Sequence, residues 1–294
     1  MDIPWSLDKF QDTEVKMKLK RFGWFFLFLL AGLMVFFPSI TFSEQIPDHL
    51  ENFIRAGLCV LFIALTIVVA LKKKWNKFWP IPFAFFLAAF CQFLAWRFSG
   101  LSVKLLGLET SGVKGMAAAK LSQSLWIIIP VIFLTLVSGQ SLASIYFKKG
   151  HLRYGLTIGL IGFFAFAGFL VLQAKNIDSG LERLLLGAPW ILIFVLSNGL
   201  NEELLFRGIF LKKLEPFLGK LGSNLLTALV FSLAHIKVEY VKSREIFMFL
   251  GIVFVLALIW GYLMQKTGSL LGSVLFHAGA DLVLFTSLFT LAPQ

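Results

Sequence analysis

Charged side chains are scarce in this sequence. Only 15% of its 294 residues are Asp, Glu, Lys or Arg, against 58% apolar, and the mean hydropathy is +0.85. Water-soluble domains carry about a quarter charged residues, so the shortage excludes a soluble domain as the body of this chain. Cysteine is nearly absent. Cys59 and Cys91 each fall inside an apolar run, where a thiol serves as a small buried hydrophobe; neither a disulfide framework nor a Cys-based metal site follows. Internal repeats and low-complexity tracts are missing too. No cleavable leader is expected, because the first apolar run begins only after Lys16-x-Lys18-x-Lys20-Arg21 and is long enough to span a bilayer. Acidic residues are outnumbered, 16 against 27 basic ones, for a net charge of +11. Such an excess can mark a nucleic-acid binder. Here the basic residues cluster in short loops between apolar runs, where they set membrane orientation, so the expected partner is the lipid bilayer and no nucleic acid.

What is abundant is the long hydrophobic run. A helical span needs about 20 mostly apolar residues, which predicts helices over 22–42, 53–71, 78–98, 123–147, 153–174, 185–210, 222–238, 246–265 and 268–291. The expected fold class is all-α, a polytopic membrane helix bundle with eight or nine transmembrane segments, the lower count applying if one segment is short or re-entrant. The 34 Phe and 8 Trp suit a lipid-facing surface with interfacial anchors. Lys16 to Arg21, the loop Lys72 to Lys77, the loop Lys148 to Arg153 and the stretch Lys212 to Lys220 alternate onto one side, which should be cytoplasmic. Glu44, Asp48 and Glu51 fall on the other. Two basic loops, 97–120 and 236–245, run against that pattern; the first reads in part as an interfacial amphipathic stretch around Lys104. Polar chemistry divides the chain into N-terminal scaffold helices, 1–150, and a transmembrane core, 151–294, that holds the unusual intramembrane polar groups.

Ionisable groups at membrane depth cost about 2.5–3.5 kcal/mol each near a helix centre and usually mark function. The last hundred residues carry three such motifs: Glu202-Glu203-x-x-x-Arg207, Phe231-x-x-x-His235 and His277-x-x-x-Asp281. On a helix Glu203 and Arg207 are one turn apart, in the order that favours an ion pair. Glu202 lies about 100° around the helix, free to face a polar cavity and act as general base for water. Phe231 sits one turn below His235. His277 and Asp281 again share a face, and a carboxylate there can fix the tautomer of the imidazole. At about 1.5 Å of rise per residue, Glu202 and His277 lie about 12 and 13 Å from the cytoplasmic ends of their spans and His235 about 20 Å, which implies a cavity open to the cytoplasm.

On these residues the chain resembles the CAAX prenyl endopeptidases and their prokaryotic relatives, the CPBP (ABI) intramembrane proteases. That family carries Glu-Glu-x-x-x-Arg, then Phe-x-x-x-His, then His-x-x-x-Asn or a similar polar residue, on separate helices. The resemblance spans about 200–281, with core helices extending it to roughly 185–291. It implies a glutamate-dependent membrane peptidase with no cofactor, in a prokaryotic plasma membrane, acting on a membrane-associated or prenylated peptide or protein. By carry-over, Glu202 and His235 activate water, His277 and the residue at 281 hold the oxyanion, and Glu203, Arg207 and Phe231 support the site. Asp281 stands where Asn is common. Ionised Asp accepts hydrogen bonds and cannot donate, so Asp281 must be either protonated or an orienting partner of His277. Two other readings stay open. Glu202, His235 and His277 could bind Zn²⁺ with an open position for water, and the same polar core could serve a non-enzymatic transporter or immunity protein.

Overall fold

In hydrocarbon a backbone must satisfy its own polar groups, so long apolar runs form helices. The computed structural model, which describes residues 6–36, 47–110, 112–236, 238 and 243–291, is a helical bundle with no strand among the described residues. In chain order the helices are α1 (Ser6–Phe36), α2 (Asp48–Leu71), α3 (Pro80–Phe98), α4 (Leu101–Leu105), α5 (Val113–Val137), α6 (Leu152–Lys175), α7 (Gly180–Glu202), α8 (Leu211–Leu233), α9 (Ile246–Thr267) and α10 (Leu271–Leu291). Short 3-10 turns at Asn76–Phe78 and Leu142–Ile145 interrupt the connections, and a π-helical turn, Glu203–Gly208, continues α7. Among the described residues eight helices are long and apolar enough to cross a membrane, and α10 adds a shorter apolar stretch, Leu271–Val283. The protein is thus a multi-pass membrane protein.

Several boundaries differ from the hydropathy reading. The fourth span runs Val113–Val137 instead of 123–147. Gly139 takes a left-handed φ of 77° just beyond it and ends the helix, so the apolar residues that follow belong to a 3-10 turn. Lys114 and Lys120 therefore ride on α5 and sit over the rings of Trp190 and Phe194, at 5.9 and 5.4 Å, rather than in a basic outer loop. The seventh span begins at Leu211, not 222, and breaks at Gly219 (φ 73°, ψ 172°). Its polar first piece is a short helix that the apolar-run rule reads as loop. It ends at Leu233, not 238. Glu51 is no loop residue: it lies within α2 and pairs with Arg55 at 2.6 Å, buried. Around Lys104 the chain forms α4, with Val103 buried and Leu105 and Leu106 exposed, as an interfacial helix requires. Glu44, Lys237 and Lys242 lie outside the described residues.

Two packing features position the last five helices. The first is a glycine seam. Gly155, Gly159 and Gly162 on α6 face Gly272, Phe276 and Gly279 on α10, the most extensive helix pairing in the bundle. A Cβ at Gly159 would lie 2.7 Å from the Gly272 carbonyl oxygen, and one at Gly279 would lie 2.5 Å from Phe163 Cα. Only the missing side chains let the two backbones meet. Gly199 repeats this between α7 and α10, 3.0 Å from the Val274 carbonyl. The second feature is a set of interhelical hydrogen bonds from small polar side chains to carbonyls. Ser232 donates to Leu250 at 2.8 Å, Asn224 to Leu258 at 2.9 Å and Ser273 to Trp260 at 2.7 Å.

The apolar core runs continuously through both halves of the chain, from Phe28, Phe36 and Phe85 to Phe206, Phe210 and Phe231. Ser124 on α5 also donates to the Ser197 carbonyl on α7 at 2.9 Å. At one end of the bundle Tyr146 has a left-handed φ of 60°, is buried, and points its hydroxyl at Glu215 Oε1, 3.4 Å away. Burial, with the Glu215 carboxylate, pushes the ionisation of that phenol well above its usual value.

Candidate active site

The Glu-Glu-x-x-x-Arg motif falls on the junction where α7 passes into the π turn. Glu202 is the last α-helical residue; Glu203 to Gly208 form the wider turn, closed by a bond from Ile209 N–H to the Leu204 carbonyl at 3.1 Å. Such turns are rare and recur at functional sites. The expected Glu203–Arg207 pair is present. Arg207 Nη1 donates to Glu203 Oε1 at 2.7 Å, and both residues are fully buried. The Arg207 guanidinium also lies over the rings of Phe231 (4.3 Å) and Trp260 (5.5 Å), which line a cage around the cation.

His277 on α10 is held from every side. Its ring stacks on Trp260 with centroids 3.9 Å apart and planes 6° from parallel. Nδ1 lies 2.9 Å from Glu203 Oε1, an oxygen that already accepts from Arg207. An oxygen so placed is an acceptor, so Nδ1 carries the hydrogen and Nε2 faces the cavity. There Nε2 is 3.5 Å from Glu202 Oε2 and 3.5 Å from Asp281 Oδ1. Asp281 Oδ2 in turn accepts from Asn198 Nδ2 at 2.9 Å. Glu202 has the most open carboxylate of the three, with 18% of its side chain exposed against 0% for Glu203 and 8% for Asp281.

His235 joins less directly. It sits in the turn after α8, with its ring 4.5 Å from the Phe231 ring, while His277 stands edge-on to the same ring at 5.7 Å. Its Nδ1 meets the Phe231 carbonyl at 2.8 Å. A carbonyl can only accept, which makes Nδ1 the protonated nitrogen and leaves the Nε2 lone pair available. The end of α8 stays paired with α9, through Ser232 to the Leu250 carbonyl, close to where α9 begins at Ile246.

The structure thus brings Glu202, Glu203, Arg207, His277 and Asp281 into direct contact and sets His235 beside them across Phe231. Two partners escape the motif reading. Asn198 lies one helical turn before Glu202, a signal available in the sequence as a polar residue four positions upstream in an apolar run. Trp260 carries no such signal, because an aromatic in a hydrophobic helix looks like any other core residue. Several buried atoms here have no hydrogen-bond partner among the described residues: Glu202 Oε2, Asn198 Oδ1, Asn201 Oδ1, Arg207 Nε and Nη2, and Trp260 Nε1. Concentrated unpaired polarity of this kind marks a place built to bind something polar.

Among the described residues no group of three or more His, Cys, Asp or Glu side chains is placed to hold a metal ion. His277 Nδ1 is committed to Glu203, and His235 lies across the Phe231 ring.

Residues 184–283 match the family model described as type II CAAX prenyl endopeptidase, Rce1-like. This segment is similar to a CAAX-protease domain. It contains all three motifs, together with Asn198 and Trp260. The match covers about a third of the chain and supports a CAAX-type intramembrane protease in general terms. Comparison with curated proteins and with solved structures gives no match.

Proposed function

We propose that the protein hydrolyses an internal peptide bond of a membrane-associated substrate, with Glu202 as the base that activates water. The observation that carries this reading is the convergence of two carboxylates, Glu202 and Asp281, each 3.5 Å from the Nε2 of His277 within the apolar bundle. Glu202, the most exposed carboxylate, takes a proton from water as the oxygen attacks the scissile carbonyl, then returns it to the leaving amine. His235, with Nε2 unprotonated, is the second acceptor for that water. His277, when both nitrogens carry protons, donates Nε2–H to the oxyanion. The second amide hydrogen of Asn198 stands near enough to Asp281 to share this task. Preorganised donors of this kind are typically worth about 3–4 kcal/mol of transition-state stabilisation. Asp281 orients His277, since both its oxygens face donors. Glu203 and Arg207 lock the turn and the imidazole plane. The N-terminal helices, up to about residue 150, serve as scaffold.

The family description points to prenylated C-terminal peptides as the first substrate class to try. Full-length protein in proteoliposomes should release a short C-terminal peptide from such a substrate, or cut an unprenylated membrane peptide, as read by mass spectrometry. Glu202→Gln and Glu202→Ala should lower the rate by about 10²–10⁴-fold, and a chelator should leave it unchanged. Cleavage that persists in both Glu202 variants would refute the mechanism.

A further inference from the structure

A second concave site lies far along the bundle from the carboxylates. A cleft of about 370 Å³ opens between the second half of α1, the turn after α2 and the short first piece of α8, lined by Trp24, Phe28, Trp75, Phe78, Pro82 and Phe217 among others. Five of its eight lining residues are aromatic and the other three aliphatic. Phe217 stands edge-on to Trp24 at 5.0 Å and packs on Phe78 at 5.4 Å, while Trp24 stacks on Phe28 at 5.5 Å. This volume lies within the range of small-ligand pockets, and the lining offers a ligand nothing but apolar contact.

The rim is of opposite character. Lys72 Nζ lies over the Trp75 ring at 4.9 Å and Lys77 Nζ over the Phe78 ring at 5.0 Å, so two ammonium groups sit on the rings that form the wall. Each keeps donors turned outward. Lys73, Lys74, Lys20 and Arg21 are exposed nearby in sequence, and neither 71–79 nor 16–36 contains an Asp or Glu. Interfacial Trp and Lys at a span end place this rim at head-group depth. Glu215, the acid on the same piece of α8, is turned to Tyr146 and Gln265. A cavity that is greasy within and cationic at its lip fits an amphiphile with a long apolar tail and an anionic head.

We propose that this cleft binds one acyl chain of an anionic phospholipid, with the head-group phosphate on Lys72 and Lys77. The site is independent of the peptidase reading.

Trp24 and Trp75 supply the reporter. Full-length protein is reconstituted in phosphatidylcholine vesicles titrated with brominated phosphatidylglycerol or brominated phosphatidylcholine. The quenching that disappears in Trp24→Phe/Trp75→Phe belongs to the cleft. That component should half-saturate at a mole fraction about tenfold lower for the anionic lipid. Lys72→Gln/Lys77→Gln should make the two lipids equal, and Lys72→Arg/Lys77→Arg should keep the preference. The single Gln variants, each expected to lose part of it, carry the same comparison if the double variant does not fold. Equal half-saturation in the unaltered protein would overturn the proposal, as would a preference that survives Lys72→Gln/Lys77→Gln. Quenching relieved by a neutral farnesylated peptide but not by unbrominated phosphatidylglycerol would assign the cleft to a substrate lipid and overturn it equally.

Discussion

At the scale of single residues, the contacts of Asp281 discriminate between its two possible roles. One oxygen accepts from Asn198 and the other faces the cavity nitrogen of His277. A group with a donor at each oxygen works as an acceptor, and an acceptor beside imidazole holds it in orientation. Asp281→Asn is therefore expected to cost at least tenfold in turnover with an unchanged Tm. Full activity in that variant would instead make residue 281 a neutral donor to the oxyanion. The pairing of Glu203 with Arg207 was legible from a four-residue spacing, which puts both on one helix face. The second bond of Glu203, to His277, was not, because it joins positions 74 residues apart. Nor could spacing reveal that Trp260 lies flat against His277, since stacking across helices leaves no local trace.

At the scale of elements, the seam between α6 and α10 decides where His277 and Asp281 stand. The clash at Gly159 is with backbone, which cannot rotate away. Gly159→Leu should separate the helices, destabilise the protein by about 1–3 kcal/mol and reduce activity through displacement of His277. Gly168→Leu, on the same helix with nothing within 4 Å of its Cβ position, should change neither. Thermal unfolding of the two variants makes the comparison, and equal losses would show that the seam is not what positions α10. The existence of the long helices follows from hydropathy. Their ends do not, because a turn such as Ser138-Gly139 or Gly219 is fixed by one backbone conformation inside sequence that remains apolar on both sides. The π turn was equally hidden, as nothing in Glu-Leu-Leu-Phe-Arg-Gly distinguishes five-residue from four-residue bonding.

At the scale of the whole molecule, the basic clusters at 72–77, 148–149 and 212–220 gather at one end of the bundle through the alternation of the spans, and the turn before α9 lies at the other. In a background with Cys59 and Cys91 replaced by Ala, Glu245→Cys should react with a membrane-impermeant maleimide in intact cells. Lys74→Cys should react only after permeabilisation. The reverse pattern would invert the orientation. A last consequence comes from the tally of charge in the cluster. Glu202, Glu203 and Asp281 face one guanidinium and one imidazole, so even with His277 doubly protonated the ionised carboxylates leave the chamber with one negative charge in excess. A polypeptide terminus placed at the reacting bond would add another negative group, at about 4 kcal/mol of repulsion per carboxylate at 4 Å and an effective dielectric of 20. At 10 Å the figure falls below about 2 kcal/mol. A chamber with this sign disfavours trimming single residues from a free end and tolerates scission a few residues upstream of it.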